Sequence, residues 1–304
     1  MKIYLSKINE SWIIDRVRKE FYKYNPTLTT HNKKKSDIFW LISPWLWKNE
    51  NIDILKNKKI VCSHYHFDFD NFDKNDFYKL DKFVDHYHVI SKNTKSQLKT
   101  LTDKPITSIP FWINQNIFFE ILDKDKLRSI YKFSQKDFLI GSFQRDTEGS
   151  DLISPKLIKG PDIFINLVSE IYKENKNTKI VLAGKRRQYV INELKNLNIP
   201  YFYFEMVNFK KLNHLYNLLD LYLVTSRLEG GPQAILESAI TRTPILSTKV
   251  GVAPEILHES SIINLNSFDS SVPNIDYAYN KSIKYTIPSG INLFNKMFKE
   301  IYES

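Results

Sequence analysis

Ser226-Arg227-Leu228-Glu229-Gly230-Gly231-Pro232-Gln233-Ala234-Ile235-Leu236-Glu237 follows the apolar run Leu221-Tyr222-Leu223-Val224 and runs into a helical pattern. A short apolar strand, a glycine pair, then a proline opening a helix is how a parallel sheet presents a ligand-binding turn at its carboxyl edge. Gly230 and Gly231 allow a ligand close to the backbone, and the free amides of the first helical turn carry partial positive charge suited to phosphate. Glu229 and Glu237 would repel that phosphate, so their carboxylates are expected to accept hydrogen bonds from hydroxyls. Phosphate on amides and hydroxyls on carboxylates together describe a nucleotide-sugar.

Outward from this stretch, strand and helix patterns alternate in both directions. Downstream comes Pro244 to Ser247 as a strand, and Asn292 to Tyr302 as a terminal helix. Upstream, Phe138 to Gly141, Ile180 to Gly184 and Tyr201 to Phe204 read as strands, with helices from Pro161 to Tyr172, Tyr189 to Leu197 and Leu212 to Leu219. No strand pattern is visible from Trp112 to Lys136. Before that break, strands are expected at Ile3 to Leu5, Asp37 to Ile42, Lys59 to Ser63, Tyr87 to Ser91 and Ile106 to Pro110, with an amphipathic helix from Ser11 to Tyr24. Such short apolar strands between helices predict α/β architecture: two doubly wound parallel-sheet units with a boundary near residues 115–135. The expected division is 1–120, 121–285, and a C-terminal helix over 286–304 that packs back on the first domain.

The stretch from Glu229 through Glu237 has E-x7-E spacing. Together with Thr243-Pro244-Ile245-Leu246-Ser247-Thr248-Lys249-Val250-Gly251-Val252-Ala253-Pro254-Glu255-Ile256 it resembles the donor site of family 4 glycosyltransferases, over about Phe138 to Leu257. The resemblance implies a GT-B fold, two Rossmann-like doubly wound parallel-sheet domains facing across a cleft with the acceptor on 1–120 and the donor on 121–285, and retaining transfer from a nucleotide-sugar with no metal or other cofactor. By position it implies that Glu229 contacts the donor sugar, Gly230, Gly231 and Pro232 face the diphosphate, and Glu237 holds the ribose. Gly141 through Arg145, followed by Lys159-Gly160, resembles the strand end and cation pair that neutralise the diphosphate. Fixed cations there suit a leaving group that gains charge. The chain departs from the pattern in spacing Arg145 and Lys159 widely, with Thr147 to Lys156 inserted, so Lys156 is an alternative phosphate contact.

The N-terminal half resembles the family less closely. Ser6-Lys7-Ile8-Asn9-Glu10 lacks the glycine-rich turn that often follows the first strand. His64, at a strand end, matches a histidine that approaches the donor sugar, and His66 competes for that role. His64, His66, Asp68 and Asp70 also alternate in a way that could gather a metal on one face of an extended chain, although the spacing fits no complete metal motif. His86 and His88 read as structural. Trp40, Trp45, Trp47 and Trp112 fit either a core or an acceptor-stacking surface.

Composition narrows the class. The 304 residues carry a net charge of +10 and one cysteine, Cys62, inside a strand pattern. No internal disulfide can form, and the thiol reads as buried and inert. The polar N-terminus is too short for a secretory segment, and no apolar run reaches membrane-spanning length, so a cytoplasmic location is expected. The positive charge allows a peripheral contact with an anionic membrane, through Arg16, Lys19 and Lys23, or a solvated lysine-rich surface. The expected partners are a nucleotide-sugar donor and a glycan, lipid-linked or other hydroxyl acceptor. The competing readings are a DNA-modifying GT-B glycosyltransferase, against which stands the lack of a dense basic stripe, and a non-catalytic nucleotide-sugar or membrane-surface binding protein.

Overall fold

The computed structural model describes residues 1–7, 13–265 and 270–304. The expected start of the first helix at Ser11 and most of the loop Ser6–Glu10 therefore lie outside the described residues. The chain divides into two compact units, one formed by Met1–Trp112 with Tyr285–Ser304 and the other by Ile113–Lys284.

The first unit contains β1 (Ile3–Leu5), α1 (Ile13–Tyr24), β2 (Ile38–Leu41), α2 (Ile52–Lys56), β3 (Lys59–His64), α3 (Lys74–Asp81), β4 (His86–Val89), α4 (Lys92–Leu98) and β5 (Ile106–Ser108). All five strands are parallel, in the order β1-β2-β3-β4-β5. Beyond β1, the Ile3 backbone bonds to Leu28 and Thr30, so Thr29 lies on the edge opposite β2. The chain thus winds one way through α1 and the other way from β2 onward, which is why helices cover both faces of the sheet.

On one face Trp40 meets Phe21 of α1 at a ring distance of 5.3 Å. It also meets Phe298 at 5.1 Å, in the last helix of the chain, Ser289–Glu303. Ile291, Phe294, Met297, Phe298 and Ile301 of that helix join the same core. On the other face Tyr87 of β4 packs against Phe77 of α3. Trp40 and Trp112 are fully buried, so of the four tryptophans weighed for acceptor stacking these two are core, while Trp45 remains 49% exposed. Cys62 is also fully buried, and burial raises its thiol pKa.

A chain of polar contacts crosses the first core. Trp40 Nε1 donates to Ser63 Oγ at 2.8 Å, Ser63 Oγ lies 2.8 Å from His88 Nδ1, and His88 Nε2 lies 2.7 Å from the Ile109 carbonyl. Such a relay needs a neutral imidazole with its proton on Nε2, and burial lowers the His88 pKa to about 4. His88 is structural, and so is the Arg16 side chain, buried at 6% exposure on the inner side of α1. Arg16 therefore does not share an exposed face with Lys19 and Lys23.

The second unit contains α5 (Lys124–Ile130), β6 (Phe138–Ser142), α6 (Pro161–Glu174), β7 (Thr178–Ala183), α7 (Gln188–Asn196), β8 (Tyr201–Phe204), α8 (Phe209–Leu218), β9 (Leu221–Val224), α9 (Gln233–Ile240), β10 (Ile245–Ser247), α10 (Ala253–Ile256) and α11 (Ile275–Ser282). The final helix, Ser289–Glu303, is accordingly α12. The five parallel strands run β10-β9-β6-β7-β8, so the winding reverses between β6 and β9. Isoleucine and leucine side chains from β6, β7 and β9 meet Phe164, Val168, Val190 and Leu194 of α6 and α7 on one face. Tyr222 meets Tyr216 of α8 on the other.

Two features depart from the sequence expectation. The segment after Trp112 belongs to the second unit rather than closing the first. Phe118 packs on Phe209 and Tyr216, while the Phe119 and Ile121 amides donate to Asn213 and Asn217 of α8. α5 and α11 are helices that the strand-centred pattern did not signal. α5 is fixed by Asp123, whose side chain accepts from the Lys126 amide, and α11 by Asn274 in the same way.

Candidate functional site

The second unit gathers its polar residues where β6 and β9 end, the switch point at which open parallel sheets bind ligands. Beyond β6 the Phe143 amide donates to Tyr222 Oη at 3.1 Å, which fixes the strand's exit. Gln144 Nε2 then donates to the Lys159 carbonyl at 2.9 Å, and Ser226 Oγ lies 3.2 Å from Gln144 Oε1 and 3.3 Å from Glu229 Oε1. Lys159 Nζ is ion-paired with Glu229 Oε1. The glutamate assigned to sugar hydroxyls and a lysine assigned to diphosphate are thus in direct contact.

Two glycines make this approach geometrically feasible. Gly160 sits at φ +60, and a Cβ there would collide with the Thr225 carbonyl, whose own side chain donates to the Gly160 carbonyl at 2.8 Å. The Arg227 and Leu228 amides both donate to the Ile158 carbonyl, completing the seam between the two loops. Gly251 sits at φ +48 against the backbone of Glu229 and Gly230, where a Cβ would overlap the Gly230 carbonyl. Both positions need left-handed backbone and bare space at once, which glycine alone supplies without strain.

The insertion from Thr147 to Lys156 folds back on itself. Thr147 and Pro155 form an antiparallel bridge, Glu148 N donates to Ser154 O at 3.0 Å, and Lys156 N donates to Asp146 O at 2.8 Å. Lys156 consequently returns beside Arg145. Its pKa is lowered first by burial and then by the charges of Arg145 and Lys159. The structure therefore brings Arg145, Lys156 and Lys159 into one cationic group, so Lys156 and Lys159 need not be alternatives.

Glu237, on α9, is 7% exposed, and its Oε2 accepts from Tyr216 Oη at 2.8 Å. Burial first, and then Glu237, hold the Tyr216 phenol well above its ordinary pKa, so the tyrosine stays a donor. Pro232 is the capping residue before α9, with Gly230 buried and Gly231 half-buried ahead of it. Gly141 lies inside β6, where a Cβ would press on the Leu219 side chain, so packing accounts for it.

In the first unit, His64 ends β3 and is 7% exposed. Its ring stacks on Phe67 at 4.6 Å, its Nε2 has no hydrogen-bond partner, and burial lowers its pKa to about 3. His64 is therefore a neutral imidazole in an aromatic pocket. His66 is half-buried beside it, and its charge is a secondary cause of that shift. Among the described residues no three His, Cys, Asp or Glu side chains converge in a way that could hold a metal ion, so the alternation from His64 to Asp70 does not form a metal cluster.

Several participants carried no sequence signal. Gln144 and Ser226 stand in loops with no period to betray them, and Tyr216 hides in an ordinary helical face. Asp146 and Arg187 form a buried pair, although Arg187 stands in the charged run Lys185-Arg186-Arg187. Gly251 stands in a stretch whose resemblance is visible in sequence, but its task, clearing space for the Gly230 backbone, is set only by the fold.

Residues 153–284 match the sequence family described as glycosyl transferases group 1. A protein of Sulfolobus islandicus rod-shaped virus 1, itself uncharacterised, is 34% identical over 95 residues, which cover 31% of this chain and 25% of that protein. The chain thus spans about a quarter of the curated relative it matches. Among solved structures, HepE of Anabaena in complex with UDP and glucose superposes with a TM-score of 0.71 at 11% identity, covering 98% of this chain and 99% of that one. Sucrose-phosphate synthase from Thermosynechococcus elongatus gives 0.69 at 10% identity, covering 98% and 81%. TarM of S. aureus gives 0.63 at 14% identity, covering 93% and 58%. The fold is that of the GT-B glycosyltransferases, and the residues that match the group 1 family make up most of the second unit. No helix among the described residues is long and apolar enough to cross a membrane.

Proposed function

We propose that this glycosyltransferase takes its sugar from a nucleoside diphosphate donor held by the second unit and passes it, with retention, to a hydroxyl of a glycan or lipid-linked acceptor. The observation that carries the reading is the grouping of Arg145, Lys156 and Lys159 with the Lys159–Glu229 ion pair at the β6/β9 switch point. Three cations against Glu148 and Glu229 leave a positive surplus, and a diphosphate fits it. HepE binding UDP and glucose adds a precedent on the same fold.

The chemistry follows from the side chains. As the sugar leaves, the β-phosphate gains negative charge, and the three cations with the amides before α9 stabilise it. Diphosphate entering beside Lys159 takes over that lysine as counterion and frees Glu229 for the sugar hydroxyls. Glu237, oriented by Tyr216, accepts from the ribose hydroxyls. In the first unit, His64, neutral and with Nε2 unpaired, keeps a ring nitrogen available to a hydroxyl. The cations supply the charge neutralisation that a metal would otherwise provide.

The test is a panel of UDP-, GDP- and ADP-sugars read by thermal shift and by nucleoside diphosphate release, with Glu229→Ala and Arg145→Ala beside wild type. One donor should stabilise the protein and turn over, and both variants should lose the turnover. Turnover at the wild-type rate in both variants would sink the assignment.

A further inference from the structure

Arg145 is exposed, yet the next residue, Asp146, is 2% exposed and faces Arg187 at 1%. Arg187 Nε lies 3.1 Å from Asp146 Oδ2, and Arg187 Nη2 donates to Ser142 Oγ, at the end of β6, at 3.2 Å. The pair is incompletely satisfied. Asp146 lies near the Tyr189 and Val190 amides at the start of α7, but its oxygens, Arg187 Nε and Arg187 Nη1 have no well-aligned hydrogen-bond partner. The Asp146 pKa is raised to about 6, first by burial, against the opposing pull of Arg187 and of the Tyr189 and Val190 amides. A buried ion pair in this state is costly to stability, and apolar residues of the same volume would serve the fold as well or better.

What the pair does hold is the backbone that carries the cations. Asp146 N donates to Arg186 O at 3.0 Å, and Asp146 O accepts from Lys156 N at 2.8 Å. Lys159 N in turn donates to Lys156 O at 2.8 Å. Arg145 is thus covalently next to Asp146, Lys156 hangs from its carbonyl, and Lys159 hangs from Lys156. With its side chain facing Arg187, and Arg187 bonded to the end of β6, Asp146 anchors the Arg145 and Lys156 end of the cationic loop, while Gln144 and Glu229 hold Lys159 from the other side.

Resting on the donor reading above, we propose that Asp146 and Arg187 are positioning residues that hold Arg145, Lys156 and Lys159 against their mutual repulsion in the geometry that receives a diphosphate. The pair touches no substrate and acts only through the loop it anchors. A misplacement of about 1 Å is enough to cost orders of magnitude in a preorganised site.

The experiment titrates inorganic pyrophosphate into the full chain by calorimetry at fixed pH and salt, since pyrophosphate probes the cations without a base or sugar. The variants are Asp146→Asn, Arg187→Gln and the double replacement, each with a melting temperature. Each single variant should lower the melting temperature by leaving a buried charge alone, and the double variant should recover most of that loss. Pyrophosphate affinity should nevertheless stay at least about tenfold weaker in the double variant. A double variant that binds pyrophosphate as wild type does would overturn the proposal, because it would reduce the pair to packing. Should the double variant fail to fold, Ser142→Ala loosens Arg187 alone. It should weaken pyrophosphate about threefold with little change in melting temperature, and unchanged binding would be equally fatal. Wild type binding neither pyrophosphate nor any nucleoside diphosphate would instead remove the donor reading, and this inference with it.

Discussion

At the scale of single residues, the Lys159–Glu229 ion pair would have to part for the proposed donor to take Lys159 as its counterion. Lys159→Ala should weaken nucleoside diphosphate binding, while Glu229→Gln should spare that binding and reduce turnover by about 100-fold. Binding calorimetry with the nucleoside diphosphate, set beside turnover of its sugar, checks the split. Gly160→Ala tests the seam between the loops, because a Cβ there meets the Thr225 carbonyl in left-handed backbone. Strain alone should cost on the order of 1–3 kcal/mol in urea unfolding, with donor binding lost besides. The E-x7-E spacing and the glycine pair were readable from the chain because local backbone rules place them at a strand–helix turn. Gln144, Ser226 and the Asp146–Arg187 pair were not, since their partners lie far away in sequence and leave no period.

At the scale of elements, α12 contributes Phe294 and Phe298 to the aromatic core around Trp40. Phe298→Ala should cost about 3–5 kcal/mol, read as an earlier chemical unfolding midpoint of the first unit. The amphipathic period of this helix was plain in the sequence, and so were nearly all the strands, since full burial on both faces forces apolar runs. α5 and α11 were not, being short and depending on single capping residues. The insertion between Thr147 and Lys156 was readable as extra length. Its effect, closing on itself to return Lys156 beside Arg145, depends on hydrogen bonds at Asp146 and Glu148 that no pattern announces.

At the scale of the whole chain, the two units should answer acid differently. His64 and His88 are held neutral, with pKa values near 3 and 4, whereas an unfolded histidine titrates near 6.5. Their contribution is complete above pH 6.5 and is lost as pH falls toward 4, amounting to about 2 kcal/mol each by pH 5. Asp146, raised to about 6 in the second unit, has the opposite sign, because the folded state binds its proton first. All five tryptophans fall at or before Trp112, so tryptophan emission follows the first unit alone. Its thermal midpoint should drop between pH 7 and pH 5, and His64→Leu should remove part of that drop. A midpoint that ignores pH would contradict the neutral-histidine assignment.

The division of the chain has a further consequence, for biosynthesis. Translation proceeds from the N-terminus, and domains generally fold as they emerge. The first unit, however, needs Ile287, Ile291, Phe294, Met297, Phe298 and Ile301 to close its core. The second unit is one contiguous stretch, complete at Lys284. The unit that emerges first therefore keeps Phe21 and Trp40 uncovered until the segment after Lys284 has been made. A nascent chain stalled after Lys284 should present that aromatic face to chaperones, and release of the last helix should withdraw it.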